Sequence, residues 1–153
     1  MRAYADRQGV NVVLARLFNV VGRRETNPHV LPEIVDQLRT GSDKVRLGAL
    51  ETRRDYVNAE DVASALHALL DRQPDGVSSF NVGTGRGVSV REIVEICETV
   101  LGRPVQIEQD PSRLRKVDRK ELIADPSAIG RQTGWKPTWS VEDTLADLLL
   151  SSA

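Results

Sequence analysis

Cysteine is nearly absent from this sequence. Cys97 is the only one in 153 residues, which excludes an internal disulfide and a zinc site built from thiolates. Its surroundings, Val94-Glu95-Ile96-Cys97, read as the apolar stripe of a helix, so core packing is expected rather than a reactive thiol. Histidine is scarce as well. His29 and His67 are too isolated to form a metal site, and His67 falls inside a helical pattern as a partly exposed spacer. Net charge is missing: 21 Lys and Arg stand against 22 Asp and Glu, giving −1. Such a chain has no overall field to attract nucleic acid or an anionic membrane. Any anion it binds must be held by a local cluster of arginines. No segment approaches the roughly 18 apolar residues of a membrane span. Met1-Arg2-Ala3-Tyr4-Ala5-Asp6 lacks the apolar run of a signal peptide. A soluble, reducing, cytoplasmic setting is the expectation. No internal repeat or low-complexity tract interrupts the chain.

What is present is ordinary globular material, 40% apolar and 28% charged. The length suits one domain that buries about two-thirds of its unfolded surface. Residues 1–8 read as the tail of a helix closed by Gly9. Residues 10–18 form a mostly apolar, β-branched run, the pattern of a parallel strand buried on both faces. A helix feeding such a strand is half of a βαβ unit, so the chain reads as starting in the middle of a fold. Asn27-Pro28 offers an N-cap for a helix carrying Ile34, Val35 and Leu38, ended by Gly41. Strands are expected at 45–47, 54–57, 79–82 and 105–108. Asn58, with Asp61 three positions on, can cap a helix whose apolar face is Val62, Ala65, Leu66 and Leu69. Ser89/Glu92 and Ser140/Asp143 cap two further helices. Asp125-Pro126 starts a short helix that Gly134 stops.

Five segments occur in order: Ala15-Arg16-Leu17-Phe18-Asn19-Val20-Val21-Gly22, Arg53-Arg54-Asp55-Tyr56-Val57, Asp61-Val62-Ala63, Phe80-Asn81-Val82-Gly83-Thr84-Gly85, and Thr133-Gly134-Trp135-Lys136-Pro137. Together they resemble the extended short-chain dehydrogenases/reductases that act on nucleotide sugars. Asp110-Pro111-Ser112-Arg113-Leu114-Arg115, continuing to Asp125-Pro126-Ser127, is most similar to the GDP-mannose 4,6-dehydratase and GDP-4-keto-6-deoxymannose reductase branch. UDP-glucose 4-epimerases share the general pattern. The resemblance implies that Arg54 and Arg115 contact a diphosphate, which suits the bidentate, permanently charged guanidinium. It implies that Asn19 hydrogen-bonds phosphate or sugar, and that Asn27 and His29 belong to a loop along the substrate. Taken without the resemblance, Arg53-Arg54 can be a solvated pair, the cations around Arg115 a solvated loop, and Asn19 a residue satisfying backbone at a strand end. The family has proline where Arg23 and Lys116 stand here.

Two family features have no counterpart in the sequence. Gly83-Thr84-Gly85-Arg86-Gly87 lacks the G-x-G-x-x-G spacing of a dinucleotide loop and is expected to join a strand to a helix. Neither Tyr4 nor Tyr56 has lysine four positions later; Gln8 and Glu60 stand there, so no Tyr-x-x-x-Lys is available for proton abstraction. The expected fold is α/β, the C-terminal part of an extended Rossmann-type fold. Residues 1–25 would be the end of the Rossmann-type domain, and residues 26–153 a small substrate-binding domain. The expected function is the substrate-binding part of an NAD(P)-dependent dehydratase, epimerase or reductase that oxidises C4 of a nucleotide-diphosphate hexose. NAD or NADP would serve the complete enzyme, and none this chain alone. A non-catalytic nucleotide-sugar-binding module, or one half of a split enzyme, is the alternative. The expected partners are a nucleotide-diphosphate sugar and either the missing Rossmann half or a second copy of the chain.

Overall fold

Glycines and capping side chains set where the elements begin and end. A computed structural model describes residues 2–23, 29–72, 76–113 and 118–151. The first helix, α1 (Arg2–Gln8), closes on Gly9 at φ +62°, a conformation that glycine adopts without steric cost. Strand β1 (Val12–Leu17) follows and pairs in parallel with β5 (Val77–Val82), from Val12↔Val77 to Leu17↔Val82. At Phe18 the chain changes partner. Phe18 N–H still reaches Val82 O at 3.1 Å, but β2 (Asn19–Val21) pairs in parallel with β4 (Arg53–Asn58), Asn19 opposite Tyr56. Asn19 therefore sits where one strand leaves β5 for β4, the kind of divergence at which α/β sheets open a crevice.

Strand β4 is the hub of the larger sheet. Besides β2 it takes β6 (Gly87–Ser89) antiparallel and β8 (Glu121–Leu122) parallel. Strand β3 (Lys44–Leu47) pairs in parallel with β7 (Gln106–Gln109). Around the strands stand α2 (Val30–Arg39), α3 (Ala59–Arg72), α4 (Val90–Leu101), α5 (Ser127–Thr133) and α6 (Val141–Leu150). Both expected capping boxes form, Ser89 with Glu92 and Ser140 with Asp143. Gly134 ends α5 at φ +78°.

Three local expectations are corrected. Helix α2 starts at Val30 with His29 in the cap position and no side-chain cap bond; Asn27 and Pro28 lie outside the described residues. Asp61 completes no capping box. Asn58 Oδ1 accepts from Glu60 N–H at 2.9 Å, while the buried Asp61 carboxylate accepts from Thr138 N–H, Thr138 O–H and Trp139 N–H at 2.8–3.0 Å. It pins the segment between α5 and α6, where two backbone donors need an acceptor away from water. Strand β1 is half-buried rather than covered on both faces, and Leu17 is 46% exposed. Among the described residues β5 is its only strand partner.

Two apolar clusters hold the structure. The first gathers Leu31, Ile34, Val45, Ile93, Cys97 and Leu145 between α2, α4, α6 and the β3–β7 pair. The second joins Val13, Ala15 and Val20, from before residue 26, to Val57, Val62, Phe80, Ile129 and Trp135. Each fully buried Leu or Ile contributes about 1.5–3 kcal/mol, so both clusters resist rearrangement. Arg23 ties the end of β2 to α6, with its Nε 2.9 Å from Asp147 Oδ2.

Candidate functional site

Period-two alternation along β4 sends successive side chains to opposite faces. Arg53 and Asp55 turn one way. Arg53 donates to Gly87 O at 2.6 Å and pairs with Glu92 at 2.8 Å. The fully buried Asp55 carboxylate accepts from Thr84 N–H, Thr84 O–H, Gly85 N–H and Ala124 N–H at 2.7–3.1 Å. Gly83 permits this approach: a Cβ there would lie 2.5 Å from Ala124 Cβ and 2.9 Å from Asp55 Oδ2.

Arg54 and Tyr56 turn the other way, into a cavity of 280 Å³. Asn19 lines it from the strand divergence, His29 and Glu33 from the start of α2, and Gly48 from the turn after β3. Arg113 and Asp118 complete it from the segment after β7. Three of the five expected site residues, Asn19, His29 and Arg54, are thus brought together from far apart in sequence. Asn27 and Arg115 lie outside the described residues.

The polar geometry is specific. Arg54 Nη1 donates to the carbonyls of Arg53 and Arg119, both at 2.9 Å, and Nη2 pairs with Asp118 Oδ1 at 2.5 Å. The Arg54 side chain is 17% exposed, enclosed enough for its charge to act with little screening. Asn19 Nδ2 donates to Asp55 O at 3.2 Å, which fixes the amide beside Arg54 and orients its oxygen. Burial pushes the Tyr56 phenol up to about 12, against the opposing pull of Arg54. Tyr56 is thus a neutral hydrogen-bonding group at any working pH. Arg113 pairs with Glu33, and this contact raises the guanidinium pKa further.

Glu33, Tyr56, Arg113 and Asp118 were not singled out as site residues from sequence. Tyr56 could have been found, since two-residue periodicity puts it beside Arg54. Nothing local signals that Glu33 meets Arg113, 80 positions away. His67 is largely exposed and faces Asp71. No group of three potential metal ligands occurs among the described residues, and no described helix is long and apolar enough to cross a membrane. The glycine-rich loop 83–87 does not fit a dinucleotide pyrophosphate. The N–H groups of Thr84 and Gly85 are already committed to Asp55, whereas a phosphate loop must present its amides to the ligand.

The sequence profile for GDP-mannose 4,6 dehydratase matches residues 1–148. The GDP-6-deoxy-D-mannose reductase of Pseudomonas aeruginosa is 26% identical over 147 residues, covering 93% of this chain and 48% of that enzyme. The crystal structure of UDP-glucose 4-epimerase from Thermotoga maritima with UDP-glucose superposes with a TM-score of 0.85 at 26% identity, covering 96% of this chain and 47% of that one. The Bifidobacterium longum UDP-glucose 4-epimerase, in complex with NAD+ and UDP, gives 0.80 at 27%, covering 97% and 49%. The chain spans about half the length of these relatives. Its fold is that of a portion of these Rossmann-fold enzymes.

Proposed function

The chain belongs to the GDP-mannose 4,6-dehydratase family of extended short-chain dehydrogenases/reductases, and from that premise we propose that its cavity binds the diphosphate and adjoining sugar of a nucleotide-diphosphate hexose. The observation that carries this reading is the meeting of Asn19 and Arg54 on one cavity wall, with Arg54 braced by two backbone carbonyls. A guanidinium held in this way meets phosphate oxygens with little further loss of freedom. Diphosphate would take the place of Asp118 on Nη2. Asn19, donating its amide to the backbone, keeps its oxygen for a sugar hydroxyl. His29 and Asn27 would line the sugar, and Arg115 would close on the same phosphates.

The complete enzyme, in this reading, acts at C4 of the hexose as a dehydratase, epimerase or reductase and uses NAD or NADP, as its relatives' complexes suggest. No step of that redox chemistry is assigned to these 153 residues, because their glycine-rich loop does not fit the cofactor. They bind and orient the nucleotide sugar.

Titration calorimetry of the chain with GDP-mannose, UDP-glucose, dTDP-glucose and NADP+ tests the proposal. At least one sugar nucleotide should bind, and Arg54→Ala should weaken it about tenfold or more, the cost of a lost charged hydrogen bond. Binding that is unchanged in Arg54→Ala, or absent for all three sugar nucleotides, would overturn it.

A further inference from the structure

The small parallel sheet of β3 and β7 has two outer edges, and the chain treats them differently. Gln106 N–H donates to Asp43 O at 2.7 Å, and Asp110 N–H to Leu47 O at 2.8 Å. Alternation along the ladder then turns the backbone of Ile107 and Gln109 away from β3, and that of Lys44 and Arg46 away from β7. On the β3 side these outward groups are covered. Ser42 Oγ accepts from Lys44 N–H at 3.0 Å and donates to Lys44 O at 2.8 Å. Gln37 Oε1 accepts from Arg46 N–H at 2.8 Å, and Arg113 Nη1 donates to Arg46 O at 3.2 Å. On the β7 side, Val105 N–H donates to Glu98 Oε1 at 2.8 Å. Beyond that point, among the described residues, nothing bonds the outward backbone of Ile107 or Gln109, and no strand pairs with that edge. Gln106, Glu108 and Gln109 are exposed, and Ile107 is half-buried against the first apolar cluster. A strand left open beside one sealed by side chains is a template for pairing.

The edge complements itself. Two copies can meet antiparallel about a two-fold axis, and the position of that axis decides the contacts. On Glu108 it would set two carboxylates directly opposite, which is destabilising. On Gln106 it would leave Gln109 without a partner. On Ile107 the copies exchange Ile107 N–H···O bonds, and each Gln109 N–H meets the partner's Val105 carbonyl. Gln106 then stands opposite the partner's Glu108, an amide donor facing a carboxylate whose charge is offset by Lys44 at 3.3 Å and Arg46 at 3.9 Å. The two Ile107 side chains come together on the inner face, where each gains apolar cover. We propose that the open edge of β7 pairs with β7 of a second copy of this chain in this register, joining the two small sheets into one. Glu98 ends the pairing, because it holds Val105 N–H.

So short a contact buries less than the roughly 1,200 Å² of stable interfaces, and the dimer is therefore weak, half-formed at about 0.1 mM. Sedimentation equilibrium of the chain from about 0.01 to 1 mM should show the mass rise from one chain toward two. Ile107→Pro removes the donor on the axis and leaves the β3 ladder whole, since Ile107 N–H faces outward. It should hold the mass at one chain. Two cysteine variants read the register independently of that substitution. Gln106→Cys and Glu108→Cys, mixed and mildly oxidised, should give severalfold more disulfide-linked dimer than either alone, because opposite residues of a non-hydrogen-bonded pair lie about 4.5 Å apart. Cys97 is buried and does not compete. A mass of one chain at about 1 mM overturns the proposal. So does a dimer that persists in Ile107→Pro, and so does cross-linking in the mixture no greater than in the separate variants.

Discussion

Replacing Asp55 by asparagine removes one oxygen from a site that four donors share. Oδ1 accepts from Thr84 N–H and O–H at 2.9 and 2.7 Å, and Oδ2 from Gly85 N–H and Ala124 N–H at 2.8 and 3.1 Å. An asparagine keeps one acceptor oxygen and turns an NH₂ toward the other pair. If the oxygen stays on Thr84, the two amides of Gly85 and Ala124 face a donor. Water has no room to stand in, because Gly83 and Ala124 crowd that side. An orphaned buried donor costs about 1–3 kcal/mol, so two cost about 4 kcal/mol. That is a large share of the roughly 5–15 kcal/mol that holds a domain together. With a urea dependence of about 2 kcal/mol per molar, the midpoint should fall by about 2 M. Urea denaturation followed by circular dichroism measures this. A midpoint within about 0.3 M of the unmodified protein would show that the four bonds are replaceable and that Asp55 does not anchor the loop.

Two further outcomes follow from burial and charge. The hydroxyl and N–H of Ser89, with Arg53 nearby, hold the Glu92 carboxyl well below its ordinary 4.5, at about 2. A depressed folded value means stability present above the unfolded value and lost as pH falls toward 2. Asp110, Asp125, Glu142 and Asp147 are lowered too, so thermal midpoints should drop below about pH 4.5, and Glu92→Gln should drop less steeply than the unmodified protein; equal slopes would count against the assignment. Cys97 is fully buried, and burial pushes its thiol up to about 12. An aromatic disulfide reagent at pH 8 should label it only after unfolding in urea, and prompt labelling of the native protein would contradict the packing.

Much of the local structure is legible in the sequence. Gly9, Gly41 and Gly134 each take positive φ just beyond a helix, because glycine alone does so without strain. The two capping boxes depend on residues three apart, and both form. The ordered motifs carried the family and the fold, and they pointed to Asn19, His29 and Arg54, all of which line one cavity. Where local reading failed, a distant partner competed for the same atoms. Asp61 stands where a capping acid would, yet Thr138 and Trp139 use its carboxylate. Asp55 looks like one more residue of an arginine motif, yet it holds the 84–85 loop and Ala124. Strand alternation alone could have put Tyr56 beside Arg54. Glu33 with Arg113 and Arg54 with Asp118 are pairs 80 and 64 residues apart, and nothing in either local pattern encodes the other. Spacing along the chain decides helices, turns and strand faces, because those follow from backbone geometry over a few residues. Which charges meet across the cavity is decided only when β4, α2 and the segment after β7 pack together, because an ion pair depends on distance in space.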